Sequence, residues 1–262
     1  MAASAPFVGV PPPMNFTEAR LQKLREVAQR LEIRPDFVAR LRALEGFTIV
    51  MICDDSGSMN TPVDPVPGAG PFAARPTRWT ELCETVGVVC ELATALTDRG
   101  VDVHFLNRPP MAGVSQAQQL QVAFAHQPPQ GFTPLTRALR HVLEVSREAL
   151  RERKLLIVIA TDGQPTDDNG NVDIASFLNL LRAKPANCFV QIMACTDDEE
   201  SVAYLNEADR DIERLDVTDD FRSERKEVLS AQVSCRARSA RAHTRVRVRT
   251  HRARERTRTA HL

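Results

Sequence analysis

Strands and helices alternate along the middle of this 262-residue chain, and that alternation predicts a doubly wound α/β domain with a mostly parallel sheet flanked by helices. Three observations carry the prediction. Residues 47–53, 155–160 and 188–195 are nearly unbroken apolar runs, as strands buried on both faces of a parallel sheet are. Segments with apolar residues every three or four positions separate them. Two of the runs end on oxygen-rich residues, Asp54-Asp55-Ser56-Gly57-Ser58 and Thr161-Asp162-Gly163, where ligands of such a sheet bind.

Residues 1–16 are rich in Pro and Ala and are expected to be disordered. Residues 17–46 read as a helical extension packed on the domain that follows. Leu21, Leu24, Val27, Ala28 and Leu31 share one helix face; Pro35 opens a second helix with Phe37, Val38, Leu41 and Leu44 as its stripe, and Gly46 ends it. The α/β domain is assigned to 47–233. After its first strand, Pro62, Pro65, Pro67, Pro71 and Pro76 exclude helix and central strand over 60–79. This loop follows Ser58 directly and is expected beside whatever Ser58 serves, with Trp79, the only tryptophan, anchoring its return.

A helix over 80–98 then places Leu82, Val86, Val89, Ala93 and Leu96 together. A shorter, alternating strand follows over 101–106. A helix over 134–150 aligns Leu135, Leu139, Val142, Val145 and Ala149. Further helices are expected over 173–183 and 197–210, the latter with Thr196 and Glu199 as a capping box. Residues 215–217 suit an edge strand, and 219–233 a closing helix through Phe221, Val228, Leu229 and Val233.

Charge divides the chain. Lys+Arg and Asp+Glu both number 34. Ten arginines and one acid give residues 235–262 a charge of +9, which leaves −9 for residues 1–234. The tail, 234–262, has no apolar face and is expected to be disordered. Its arginines suit weak electrostatic contact with nucleic acid or an anionic membrane surface. The abrupt change near Ser234 fits a separate electrostatic device, and equally an altered 3′ end of the coding sequence. At 43% hydrophobic the chain as a whole can bury a core. No apolar run reaches the roughly 18 residues of a membrane span, and the first twenty residues do not read as a secretory leader. The six cysteines form no C-x-x-C pair and read as reduced core residues. These features together point to a cytoplasmic protein.

The sheet is expected to deliver three polar segments to one edge: Asp54-x-Ser56-x-Ser58, Thr133 in Gly131-Phe132-Thr133-Pro134-Leu135, and Asp162 in Thr161-Asp162-Gly163. Two carboxylates and three hydroxyls suit a hard divalent cation such as Mg²⁺, with Mn²⁺ or Ca²⁺ as alternatives; the absence of His and Cys from the set argues against zinc. Each residue also has a plainer reading. Thr133-Pro134 is a good N-cap and N1 pair, Asp162-Gly163 a turn, and Ser56 and Ser58 turn or cap residues. Asp55 is expected to support the site or face solvent.

These five residues, in this order, resemble the metal-ion-dependent adhesion site of von Willebrand factor A domains, and the likeness covers about residues 47–220. It implies the Rossmann-like sheet already inferred. It further implies that Asp54, Ser56, Ser58 and Thr133 contact an ion, that Asp162 does so directly or through water, and that one coordination position accepts a carboxylate from a partner protein. The chain looks like the intracellular members of that family, which are interaction modules and not enzymes. The competing reading is a Mg²⁺-dependent phosphohydrolase with Asp54 as nucleophile. Such chemistry usually wants an acid two residues after the nucleophile, where this chain has Ser56.

Overall fold

The computed structural model describes residues 18–63, 75–97, 99–196 and 198–218. The expected N-terminal segment over 1–16, the middle of the loop over 60–79, the closing helix over 219–233 and the arginine-rich tail lie outside the described residues.

The chain begins with α1 (Glu18–Arg30) and α2 (Pro35–Leu41), the latter opened by a proline at its first turn, where the missing N–H costs nothing. There follow β1 (Thr48–Cys53), α3 (Arg78–Leu96), β2 (Val101–Phe105), β3 (Met111–Val114), α4 (Ala117–His126), α5 (Leu135–Val145), the short α6 (Ala149–Glu152), β4 (Leu155–Thr161), α7 (Ile174–Arg182), β5 (Cys188–Ala194), α8 (Glu199–Asp211) and β6 (Leu215–Thr218). The six strands form one sheet in the order β3-β2-β1-β4-β5-β6. Every pairing is parallel except β2 with β3. This is the mostly parallel, doubly wound α/β architecture that the apolar runs predict.

Alternation along the strands sorts side chains into two layers. Val50, Ile52, Ile157, Ile159, Val190 and Ile192 face a core completed by α5, α7 and α8. Ile49, Met51, Cys53, Val101, Val103 and Phe105 face a second core completed by α3 and α4. Trp79 lies in that second core. Its ring stacks on Phe124 at 4.2 Å between centroids, and its Nε1–H donates to the Phe124 carbonyl at 3.1 Å. Outside these layers, Leu24 of α1 packs with Ala95 and Leu96 of α3.

Several local expectations change. β3 and α4 are elements for which the sequence yields no expectation. α5 stops at Val145, which is 56% exposed, and Ala149 belongs to the separate turn of α6. The cap of α8 is Asp198, whose carboxylate accepts the Glu200 N–H, and not Thr196. Thr196 sits two residues earlier and caps a turn by accepting the Asp198 N–H. Cys53, Cys83, Cys90, Cys188 and Cys195 are thiols, not disulfides. No helix among the described residues is long and apolar enough to cross a membrane.

The strand order reverses between β1 and β4: β1 continues to β2 on one side, and β4 to β5 on the other. The crevice at their carboxyl ends is the topological switch point, where sheets of this kind hold ligands. Asp54 is the first residue after β1, and Asp162 the first after β4.

Candidate functional site

Both acids are buried because the sheet carries them there. Asp54 N–H donates to the Ala160 carbonyl at 2.9 Å, which extends the β1–β4 ladder by one bond. Asp54 Oδ1 accepts the Ser56 N–H at 2.9 Å, and Oδ2 accepts the Thr161 hydroxyl at 2.6 Å. The backbone then turns through Gly57–Asn60, a single 3₁₀ turn. Ser56 Oγ and Ser58 Oγ lie 3.0 Å apart, and Ser58 Oγ donates to Asp162 Oδ1 at 2.7 Å. Four of the five residues expected from the sequence, Asp54, Ser56, Ser58 and Asp162, are thus linked in one hydrogen-bonded chain.

Thr133 arrives on a separate loop that is stapled to the first. Gly57 N–H donates to the Gly131 carbonyl at 3.1 Å, and Gln130 N–H to the Asp55 carbonyl at 2.8 Å. Gly131 has φ +93°, and a Cβ there would lie 2.8 Å from Asn107 Oδ1, so the close approach of the two loops requires glycine. Thr133 is buried. Its backbone N–H donates to Thr166 Oγ1, and its carbonyl accepts the Thr166 and Leu135 N–H groups. No hydrogen bond joins its side chain to the other four residues. The N-cap explanation for this threonine fails, because Pro134 occupies the cap position of α5 and no side-chain cap bond forms.

The electrostatics are unbalanced. Burial, and next the proximity of Asp162, push the Asp54 carboxyl up to about 6. Removal from water disfavours the charged form, and a neighbouring carboxylate disfavours it further. Asp162 is better compensated: Arg78 Nη1, from the first turn of α3, donates to its Oδ2 at 2.9 Å. The other arm, Nη2, donates to Thr196 Oγ1 at 2.7 Å beyond β5. Arg78 was not among the residues the sequence singled out. It lies 84 positions from Asp162, and no local pattern marks the pairing.

Asp55 does not face solvent; it is 1% exposed. Its Oδ1 accepts the Asn107 N–H at 2.8 Å, and Arg108 Nε lies 3.0 Å from Oδ2. That second contact is an ion pair, and Oδ2 has no hydrogen-bond partner. Arg108 spans several groups at once. Nη1 and Nη2 donate to the Ala123 and Gln127 carbonyls at the end of α4, and the guanidinium lies 4.7 Å from the Trp79 ring centroid.

The Pro/Gly-rich loop is closed at its base. Pro62 and Thr77 form an antiparallel bridge, Val63 N–H donates to the Pro76 carbonyl, and Arg78 N–H to that of Thr61. Its two ends therefore meet beside Ser58 and Arg78. The wall beyond Thr133 is the turn around Asp167, whose Oδ1 accepts the Asn169 and Asn171 N–H groups. Phe132, 54% exposed, stands on this side.

Among the described residues, no group of three or more His, Cys, Asp or Glu side chains is placed to hold a metal ion. A cation at this edge would therefore rest on two carboxylates and neighbouring hydroxyls. That donor set fits Mg²⁺, which is satisfied by one or two carboxylates with water completing its octahedron. It fits the charge of the site as well, since Asp54 is a buried acid with no cation of its own among the described residues.

No protein-family model matches the chain, and no curated protein matches it. A crystal structure of the manganese-loaded Plasmodium vivax TRAP protein is similar over 67% of this chain and 69% of that one, at 15% identity and a TM-score of 0.39. A likeness that loose bears on neither ligand nor partner.

Proposed function

We propose that this chain is a non-catalytic, divalent-cation-dependent protein-binding module of the von Willebrand factor A kind, acting inside the cell. Asp54, Ser56, Ser58, Thr133 and Asp162 would hold Mg²⁺, or Mn²⁺ or Ca²⁺ in its place. When bound, the ion supplies a Lewis-acidic position for a carboxylate of a partner protein. The observation that carries this reading is the wholly buried Asp54, whose oxygens accept only the Ser56 N–H and the Thr161 hydroxyl, with no cation among the described residues paired to it. A fold keeps an uncompensated buried acid at a cost, and a divalent ion reverses that cost. The side chains divide the work. Ser56 N–H and Thr161 orient the Asp54 carboxylate. Ser58 holds Asp162 from one side and Arg78 from the other.

Hydrolysis is less well supported. Both Asp54 oxygens accept hydrogen bonds and the residue is wholly buried, a poor setting for a nucleophile that must meet phosphorus. Turnover of a phosphate ester that disappears in Asp54→Asn would reverse this preference.

The deciding experiment is a calorimetric Mg²⁺ titration of the full chain and of Asp54→Ala, followed by partner capture with Mg²⁺ or with chelator. The expected result is Mg²⁺ binding that Asp54→Ala abolishes, and a partner set that chelator disperses. An identical partner set under all conditions would refute metal-dependent recognition.

A further inference from the structure

Among the described residues, Arg78 is the one cation paired directly with an acid of the candidate site. Its side chain is 15% exposed and that of Asp162 is fully buried. Ion pairs removed from water interact far more strongly than surface pairs. The guanidinium is also held in place: one arm is on Asp162 Oδ2 and the other on Thr196 Oγ1, and the backbone N–H of the same residue closes the base of the 60–79 loop on Thr61. Two side-chain contacts hold the guanidinium and a third, through the backbone, anchors the residue.

We propose that Arg78 is a specificity-determining residue that exchanges cation affinity for acid affinity. This rests on the proposed function. A divalent ion with the Asp54 and Asp162 carboxylates sums to zero charge. With the Arg78 guanidinium included, the loaded site carries +1, and an incoming carboxylate brings it to zero. Without Arg78 the same carboxylate would leave the site at −1. The guanidinium also repels the ion and engages one of the two oxygens of Asp162, which leaves Oδ1, the atom held by Ser58, as the oxygen turned to the site. Arg78 should therefore weaken cation binding and strengthen carboxylate binding. A residue that only ties α3 to the segment after β5 would move neither affinity in this opposed manner.

The test uses the full chain with Mn²⁺ as the ion and acetate as the acid. Free Mn²⁺ is counted by electron paramagnetic resonance. Acetate binding is followed as the fall in water-proton relaxation when it displaces water from bound Mn²⁺, at fixed ionic strength. Arg78→Gln keeps an amide donor for Asp162 but loses the charge; Arg78→Lys keeps the charge but loses the fork. For Arg78→Gln, Mn²⁺ should bind about tenfold more tightly and acetate about tenfold more weakly, the scale of one unit charge a few ångströms away in a partly screened site. Arg78→Lys should return both toward the wild-type values. Affinities in Arg78→Gln that both stay unchanged, or that move in the same direction, would overturn the proposal. Failure of the metal site itself reads differently: wild type and Asp54→Ala would then show the same Mn²⁺ binding, before Arg78 is tested at all.

Discussion

The loop after β1 carries adjacent buried acids that point to opposite sides and meet opposite fates. On the β2 side, burial raises the Asp55 carboxyl as well, but the Asn107 N–H and Arg108 oppose that shift, and the arrangement also pins α4 and stacks on Trp79. On the β4 side, Asp54 and Asp162 share a single cation among the described residues, Arg78, which is committed to Asp162. One side is a closed structural lock with no net charge. The other keeps one negative charge in reserve. Burial is common to both acids; the counter-charge is what separates them, and the proposed cation site lies on the side that lacks it.

The lock should be the more costly side to break. Arg108→Met strands the Asp55 charge and removes two donors from the last carbonyls of α4. Breaking a buried pair from one side costs on the order of 3–5 kcal/mol, and denaturant unfolding should show a loss of that size, unaltered by Mg²⁺. A loss below about 1 kcal/mol, the range of an exposed pair, would put Asp55 and Arg108 in contact with water and dissolve the contrast.

The reserve side should respond in the other direction. With its carboxyl raised to about 6, Asp54 takes up a proton more readily in the folded chain than in the unfolded one. The metal-free fold thus loses stability as pH rises from about 4 to 6, by an amount on the order of 3 kcal/mol at neutral pH. Asp54→Asn avoids that penalty. Its metal-free unfolding midpoint should equal or exceed that of wild type at pH 7.5. The Mg²⁺-induced stabilisation, about 2.7 kcal/mol in wild type at a hundredfold excess over the dissociation constant, should vanish. A variant that is less stable without metal and still responds to Mg²⁺ would make Asp54 a structural residue like its neighbour.

This division explains what the sequence reveals. The long parallel strands are legible because burial on both faces leaves unbroken apolar runs, and the acids and hydroxyls at their ends are legible because position after a strand is local information. β3 is four residues long, follows Pro109-Pro110 and contains Gly113, so it has no pattern to read. α4 buries only Leu120 and Phe124 and leaves Val122 73% exposed. The counter-charges are the least legible part. Whether Asp54 or Asp55 is the compensated acid depends on arginines brought in by the segment after β2 and by α3, and neither pairing leaves a spacing to find.

A smaller effect tests the support beneath Thr133. Gly170 has φ +87°, and a Cβ there would lie 2.5 Å from Phe132 Cε1. The exposed ring can swing aside, so Gly170→Ala should cost chiefly the left-handed backbone penalty, about 1–2 kcal/mol. Mg²⁺ should still stabilise this variant, since the charges of the site are untouched. Loss of the Mg²⁺ response would show that the placement of Thr133, and not the reserve charge of Asp54, governs the cation.

The last prediction concerns a second buried titratable group, only weakly countered and with no part in the site. His104 of β2 is half-buried, pairs in register with Ile52, and lies 5.6 Å from His141 of α5 between ring centroids. Burial, and next the repulsion of His141, lower its proton affinity; Asp102 opposes them more weakly. A histidine depressed in the fold binds its proton more readily in the unfolded chain. Stability is therefore complete above the ordinary value of about 6.5 and falls as pH drops through it. His104→Gln should flatten that slope, by less than any of the changes above. Because His104 lies on the strand and not at the crevice, the slope it governs should be the same with Mg²⁺ and with chelator. A slope that changes with Mg²⁺ would couple the strand to the site and erase the boundary between a group that is merely buried and one that is held in reserve.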